Sequence, residues 1–191
     1  WGFRDVRLLN GGWAAWRAAG GCICCGPACP CPTRSVRVEP QPGVHAARSD
    51  VLSLLRSSKP QVVDARSSEE HCGLKATAKR NGHIPGAVHV AWSGFLNPDA
   101  TVKDLHLITS QLDQKGLSPK KETICYCTGG VRSGWLYFIL RLAGYEKVRN
   151  YPGSWWEWSR DFGCPVEKDL ASLQKLLGLE QSPIPKGTRP S

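Results

Sequence analysis

Residues 122–144, ETICYCTGGVRSGWLYFILRLAG, constrain the fold more than any other stretch. Thr123 to Tyr126 is a short, apolar, β-leaning run with Cys127 at its end. Thr128, Gly129, Gly130, Val131 and Arg132 form a tight glycine-bearing loop, and from Ser133 a helical pattern runs to a natural stop at Gly144. A strand, a loop and a helix in that order aim the loop amides and the helix N-terminus at one point, which suits an anion. A cysteine at that point is expected to have a lowered pKa and to present the nucleophilic thiolate. The competing reading is a small buried hydrophobe, and Cys125, inside the strand, is read that way. Two glycines and a helix start set Cys127 apart, and Arg132 adds a fixed positive charge.

The rest of the body alternates strands with helices. Residues 46–57 have amphipathic helical spacing (Val51, Leu52, Leu54, Leu55), and Gln61 to Arg66 reads as a buried strand ending in an acid and a base. Residues 67–82 read as a polar loop, 82–87 as turn chemistry and Val88 to Ala91 as a strand. Asp104 to Lys115 reads as a helix capped by Gly116, and Lys147 to Tyr151 as a strand. A Trp-rich segment at 154–158 and a last helix from Val166 to Leu177 follow, with a proline-containing tail at 181–191 expected to fray. Such alternation predicts an α/β fold, a parallel sheet covered by helices on both faces. In such sheets ligands bind beyond the carboxyl ends of the strands, where Cys127 and Asp64-Ala65-Arg66 both fall. That convergence brings Arg66 to the site as an anion-binding residue, with an ion pair to Asp64 or a neighbouring acid as its alternative.

Residues 2–16 align without gaps on residues 144–158 at a constant offset of 142, matching Gly2/Gly144, Val6/Val148, Arg7/Arg149, Gly11/Gly153, Trp13/Trp155 and Trp16/Trp158. A repeat that long points to duplication of a whole domain. Residues 1–20 are therefore expected to be the C-terminal end of a preceding domain, 21–43 a Cys/Pro/Gly-rich linker, 44–170 the main domain, and 171–191 a helix end and tail. The chain contains no methionine and has neither a basic start nor an apolar targeting core, so it reads as a fragment or processed piece.

Five of the nine cysteines crowd into residues 22–31 (Cys22, Cys24, Cys25, Cys29, Cys31) without the paired knuckles of a zinc site, so an oxidisable linker is preferred to a metal centre. The other four are dispersed, unlike a secreted disulfide framework, which implies a reducing intracellular setting: cytoplasm, or an organelle such as a mitochondrion or plastid. The net charge of +9 comes from scattered Lys and Arg, without a basic run or aromatic-interleaved motif. That pattern argues for small anionic partners rather than nucleic acid, and no run is long enough to span a membrane.

These residues carry a family resemblance. VVDAR (62–66), GHIPGAVHVAW (82–92), CTGGVRSG (127–134) and YPGSWWEW (151–158), in that order, resemble a rhodanese-type sulfurtransferase, and LLNGGWAAW resembles the end of the first domain of a tandem one. The resemblance implies a rhodanese-like five-stranded parallel sheet and a two-step reaction. The Cys127 thiolate takes the outer sulfur of thiosulfate or 3-mercaptopyruvate, and the persulfide passes it to cyanide, a thiol or a protein cysteine. It implies no cofactor and no metal. Thr128, Gly129, Gly130, Val131 and Arg132 would bind the sulfur and the anionic donor together with Arg66, while Asp64, His83 and Pro85 would be structural. Trp155, Trp156 and Trp158 would form core and pocket wall.

Four residues separate Cys127 from Arg132, a tighter loop than the five of the related dual-specificity phosphatases, which favours sulfur over phosphate. The sequence departs from mercaptopyruvate enzymes in having Gly129 at the loop serine and Cys72 at a second substrate arginine, which favours thiosulfate or a persulfide donor. Cys72 is either a resolving thiol or a passive loop residue. A non-catalytic rhodanese-like interaction module ranks behind the enzyme because the loop cysteine is present.

Overall fold

A computed structural model of the protein describes residues 2–3, 5–27, 35, 37–57, 61–169 and 174. In chain order the elements are helix α1 (Gly12–Ala18), α2 (Arg48–Leu55), strand β1 (Val62–Asp64), α3 (Ser68–Cys72), β2 (Val88–His89), a 3-10 turn (Trp92–Phe95), α4 (Leu105–Gln114), β3 (Thr123–Tyr126), α5 (Val131–Leu142), β4 (Val148–Asn150) and α6 (Ser154–Arg160). The sheet has the order β2-β1-β3-β4 with every pairing parallel, and Val62↔Ile124 and Ile124↔Arg149 set the register.

Successive strand residues point to opposite faces, so each strand feeds two cores. Val63, Cys125 and Cys127 pack with Ile108 and Leu112 of α4 and with Leu136, Ile139 and Leu140 of α5. Val62, Ile124 and Tyr126 pack on the other side with Val51 of α2 and with Trp155 and Trp158 of α6. This is the α/β sheet covered on both faces that the alternating pattern predicts.

The sheet has four strands among the described residues, not the five that the resemblance implied. The chain does approach the free edge of β4: Ala46 N–H donates to Asn150 O (2.8 Å) and Asn150 N–H to Val44 O (2.8 Å), closing one isolated parallel bridge at His45. Pro40, Pro42 and Gly43 precede that bridge and Ala47 caps α2 directly after it, so the pairing has no length to grow into a strand.

Two other expectations are corrected. The polar loop at 67–82 contains α3, started by a capping box in which Ser67 Oγ accepts from Glu70 N–H (3.3 Å) and Glu70 Oε2 accepts from Ser67 N–H (3.1 Å). Residues 166–169 are not helical: His83 and Glu167 form an antiparallel bridge, their main chains exchanging hydrogen bonds of 2.8 and 2.9 Å. Most of the remaining expected helix, and the tail at 181–191, lie outside the described residues.

Helix α1 spans the same positions as α6 when shifted by 142 residues, so the repeated sequence adopts the same element twice. Burial differs sharply. Trp155 and Trp158 are 1% and 0% exposed, whereas Trp13 and Trp16 are 61% and 41% exposed.

Candidate active site

The Cys127 loop depends on two glycines. Gly130 has φ 88°, in the left-handed region, and a Cβ there would lie 2.8 Å from Pro152 O. A Cβ on Gly129 would lie 2.6 Å from the Trp156 ring, so the indole closes directly over the loop. With Gly130 as N-cap, α5 begins at Val131, two residues before the expected Ser133.

The loop is fastened to the rest of the fold by main-chain groups. Trp155 and Trp156 N–H donate to Cys127 O and Thr128 O (both 3.0 Å), and Asn150 Nδ2 donates to Gly130 O (3.1 Å). Cys127 N–H donates to Ser154 Oγ (3.2 Å), whose hydroxyl in turn donates to Tyr151 O (2.7 Å). The Trp-rich segment thus acts as a frame for the Cys127 loop: Trp155 and Trp158 are core, and Trp156 is the wall.

The Cys127 side chain is 1% exposed, and its sulfur faces donors. Gly130 N–H points at Sγ from 3.1 Å and the Ser133 hydroxyl from 3.5 Å. Burial alone would raise the thiol pKa. The Ser133 hydroxyl, together with the N–H groups of Ser133, Gly129 and Gly130, outweighs burial and holds it below the ordinary value. Cys125 serves as the internal contrast. It is also fully buried but lies mid-strand, its thiol donating to Ser133 O and Arg149 O (3.4 Å each), and burial drives its pKa far up. The same burial thus leaves one thiol easier to ionise than usual and the other much harder.

Arg132, the second residue of α5, is paired with Glu70. Its guanidinium grips Glu70 in bidentate fashion, Nη1 to Oε2 at 2.7 Å and Nη2 to Oε1 at 3.0 Å. Thr128 Oγ1 donates to Glu70 Oε1 (2.8 Å) and accepts from Arg132 Nη2, while Thr77 Oγ1 donates to Oε1 (3.3 Å). Burial would raise the Glu70 pKa, but the Arg132, Ser67 and Thr128 hydrogen bonds bring it down to about 2, so this carboxylate stays ionised. Val131 is 84% exposed at the loop's outer edge.

Arg66 does not join this group. Its guanidinium is 1% exposed and paired with Asp64 (Nε to Oδ1 2.9 Å, Nη2 to Oδ2 2.7 Å), donates to Gly82 O (2.8 Å), and lies over the Trp155 ring at 4.6 Å. Asp64 also accepts from Arg66 N–H (3.0 Å) and from the Tyr126 hydroxyl (2.8 Å), and its Oδ2 lies 2.9 Å from His71 Nδ1. The substrate-binding assignment for Arg66 is therefore replaced by its stated alternative, the Asp64 ion pair. The physical reason is that the acid and base two residues apart find each other inside the fold, where an unpaired charge is costly.

The structure places Cys127, Thr128, Gly129, Gly130, Val131 and Arg132 in one strand-to-helix turn, as their sequence adjacency requires, and adds Glu70, Ser133 and Ser154, which the sequence reading passed over. Glu70 had a signal, the Ser67-x-x-Glu70 spacing of a capping box. Among the described residues no group of His, Cys, Asp and Glu is arranged to hold a metal ion, and no helix is long and apolar enough to cross a membrane.

Comparison with known proteins places the chain in a family. The thiosulfate sulfurtransferase of Azotobacter vinelandii is 35% identical over 178 residues, covering 87% of this chain and 61% of its own. The sulfur carrier protein TtuD of Thermus thermophilus is 34% identical over 180 residues, covering 87% and 63%. The chain thus spans under two thirds of the length of these relatives. Among solved structures, the anaerobic ergothioneine biosynthesis enzyme of Chlorobium limicola, in complex with trimethyl histidine, superimposes with a TM-score of 0.77 at 29% identity, covering 86% of this chain and 42% of its own. An EanB variant in complex with ergothioneine covalently linked with a persulfide cysteine superimposes with the same TM-score at 30% identity over the same shares. The Rhodanese-like domain profile matches residues 47–161, which contain all four strands and the whole Cys127 loop, and by that match the chain belongs to the rhodanese-like domain family.

Proposed function

We propose that the protein is a sulfurtransferase that carries sulfane sulfur as a persulfide on Cys127. The donor is a small anionic sulfur compound of the thiosulfate or 3-mercaptopyruvate kind, or a persulfide, and the acceptor is cyanide, a thiol or a protein cysteine. The observation that carries this reading is the approach of Gly130 N–H to Cys127 Sγ at 3.1 Å, at the start of a twelve-residue helix. A sulfur held this way by fixed dipoles is stabilised as an anion before the donor arrives. With thiosulfate, the thiolate attacks the outer sulfur and the S–S bond breaks. The electron pair leaves with sulfite, giving Cys127–S–S⁻. Cyanide then takes the terminal sulfur as thiocyanate and returns the thiolate. The names of the curated relatives, thiosulfate sulfurtransferase and sulfur carrier protein, support the same chemistry.

The coincidence of α1 with α6 supports a tandem arrangement, in which residues 1–20 close a preceding domain of the same kind and 21–43 link it to the domain at 44–170. The deciding experiment is a thiosulfate:cyanide assay on wild type and Cys127→Ala, with mass spectrometry for an addition of about 32 Da, one sulfur atom, on Cys127. Thiocyanate formation and the added sulfur are expected in wild type alone. Absence of both in wild type, with 3-mercaptopyruvate and glutathione persulfide as well as thiosulfate offered as donor, refutes the assignment.

A further inference from the structure

Ser133 carries one hydroxyl proton and lies within reach of two acceptors, the Cys127 sulfur at 3.5 Å and Gly130 O at 3.2 Å. Which acceptor receives it bears on the chemistry, because a hydroxyl that donates to a thiolate stabilises the anion. Gly130 O is the crowded partner. As the N-cap carbonyl it takes the first bond of α5, from Gly134 N–H at 3.0 Å, and Asn150 Nδ2 donates to it from 3.1 Å. A carbonyl oxygen has two lone pairs. Gly134 and Asn150 fill both, so the Ser133 proton is left to the sulfur.

Asn150 is placed for this by rigid main chain. It ends β4 in register with Cys125, its N–H donates to Val44 O, and its carbonyl accepts from Ala46 N–H (2.8 Å each). Side chains two apart on a strand share a face. Val148 packs in the core with Leu136, Ile139 and Leu140, so Asn150 faces the start of α5. The amide has one workable orientation: Oδ1 in place of Nδ2 would set two acceptors against each other at 3.1 Å. Oδ1 itself is buried and has no hydrogen-bond partner among the described residues. An orphaned buried acceptor costs stability, so the asparagine serves here for its donor.

We infer that Asn150 is a positioning residue for the Cys127 loop: by donating to Gly130 O it releases the Ser133 hydroxyl to the Cys127 sulfur. It acts through Ser133, at one remove from the sulfur. Without Asn150, a lone pair of Gly130 O opens at a shorter distance from the hydroxyl than the sulfur and competes for its proton. The consequence for catalysis rests on the sulfurtransferase reading above and deepens it, naming the residue that aims the hydroxyl.

The test is a double-mutant cycle on the pH profile of iodoacetamide alkylation at Cys127, read by mass spectrometry in wild type, Asn150→Leu, Ser133→Ala and the double variant. Leucine keeps the side-chain volume and removes both the donor and the orphaned oxygen, so the fold should survive. Asn150→Leu should move the midpoint upward by about one pH unit, the scale of one hydrogen bond to an ionised group. In the Ser133→Ala background the same change should leave the midpoint nearly unmoved, because no hydroxyl remains to be redirected. A merely structural role, in which the loop loosens, would move it equally in both backgrounds. Cys125 on β3, Arg132 on α5 and Glu70 on α3 are the same in all four proteins, so their charges cancel in the cycle. Sulfur loading of Asn150→Leu below both midpoints should fall roughly threefold, less than the loss of thiolate, because a more basic thiolate is also the better nucleophile. An unmoved midpoint in Asn150→Leu, or equal shifts in both backgrounds, overturns the positioning role. Should the variants not fold, the Asn150 side-chain amide of wild type decides by NMR: a bond to Gly130 O slows exchange of an Nδ2 proton, and exchange as fast as that of an exposed asparagine overturns the role. Wild type that loads sulfur from no donor overturns the sulfurtransferase reading, whereas the alkylation cycle judges Asn150 independently of sulfur transfer.

Discussion

The main-chain N–H of Cys127 ends on the hydroxyl of Ser154, 3.2 Å away and 27 residues later in the chain. Ser154 holds this position at φ 49°, one of two non-glycine residues with positive φ among those described. A left-handed serine is held there only by its surroundings, and the return hydrogen bond to Tyr151 O and the packing of Trp155 supply them. The Cys127 loop is therefore positioned from outside itself, by the turn that enters α6.

The Ser133 hydroxyl is one of the groups that lower the Cys127 pKa against the effect of burial. Ser133→Ala should raise that pKa and shrink the thiolate fraction at neutral pH. The pH profile of iodoacetamide alkylation of Cys127 checks this: its midpoint moves upward in the variant, and an unmoved midpoint contradicts the role given to Ser133.

Gly130→Ala would place a Cβ 2.8 Å from Pro152 O at a φ of 88°. The expected loss is about 1–3 kcal/mol of stability, the range for a strained left-handed residue, together with a large loss of sulfur loading because Gly130 N–H moves off the sulfur. Gly144→Ala has a similar φ of 86° with open space around the added carbon, so it should destabilise without disturbing loading. Urea unfolding of both variants, read beside loading rates, separates backbone strain from loss of the amide.

Asp64 is fully buried among Arg66, His71 and Tyr126. Burial would raise its pKa, but hydrogen bonds from His71 and Arg66 and the Arg66 charge reverse this and keep it ionised. Asp64→Asn leaves the Arg66 charge buried without a counterion and should cost about 3–5 kcal/mol, the range for breaking one side of a buried pair. Thermal unfolding checks it, and a variant as stable as wild type would show that Arg66 finds water or another acid.

His71 stacks on His83 with ring centroids 3.8 Å apart and lies 4.9 Å from His89. Burial first, and repulsion from His71 second, lowers the pKa of His83, with Glu167 and Asp64 opposing. Burial also leads for His89, opposed by its hydrogen bond to Arg66 O. Both are thus protonated less readily when folded than when unfolded, where the ordinary value is 6.5. Below that value the unfolded chain binds more protons, so stability is greatest above it and falls as pH drops. Urea midpoints at about pH 7.5 and about pH 5.5 should show the decline, and His83→Gln should flatten it.

The sequence by itself determined the strand–loop–helix at 123–142, the four strands and the cysteine to single out as candidate nucleophile. These depend on apolar period, glycine placement and helix stops, interactions that reach only a few residues along the chain. It also disclosed the repeat that pairs α1 with α6. What it left open were partnerships between distant residues. Arg66 was legible as a strand-end base but equally suited to a substrate or to Asp64, and only folding showed it buried beside Trp155. Glu70 and Arg132 stand 62 positions apart, and no local pattern announces that a capping carboxylate at the start of α3 will occupy the arginine of the Cys127 loop. The fifth strand failed for a related reason: whether an edge segment extends beyond one bridge is settled by where the prolines and the next helix leave it in space. Charge pairing and edge pairing act through space, so tertiary structure alone decided them.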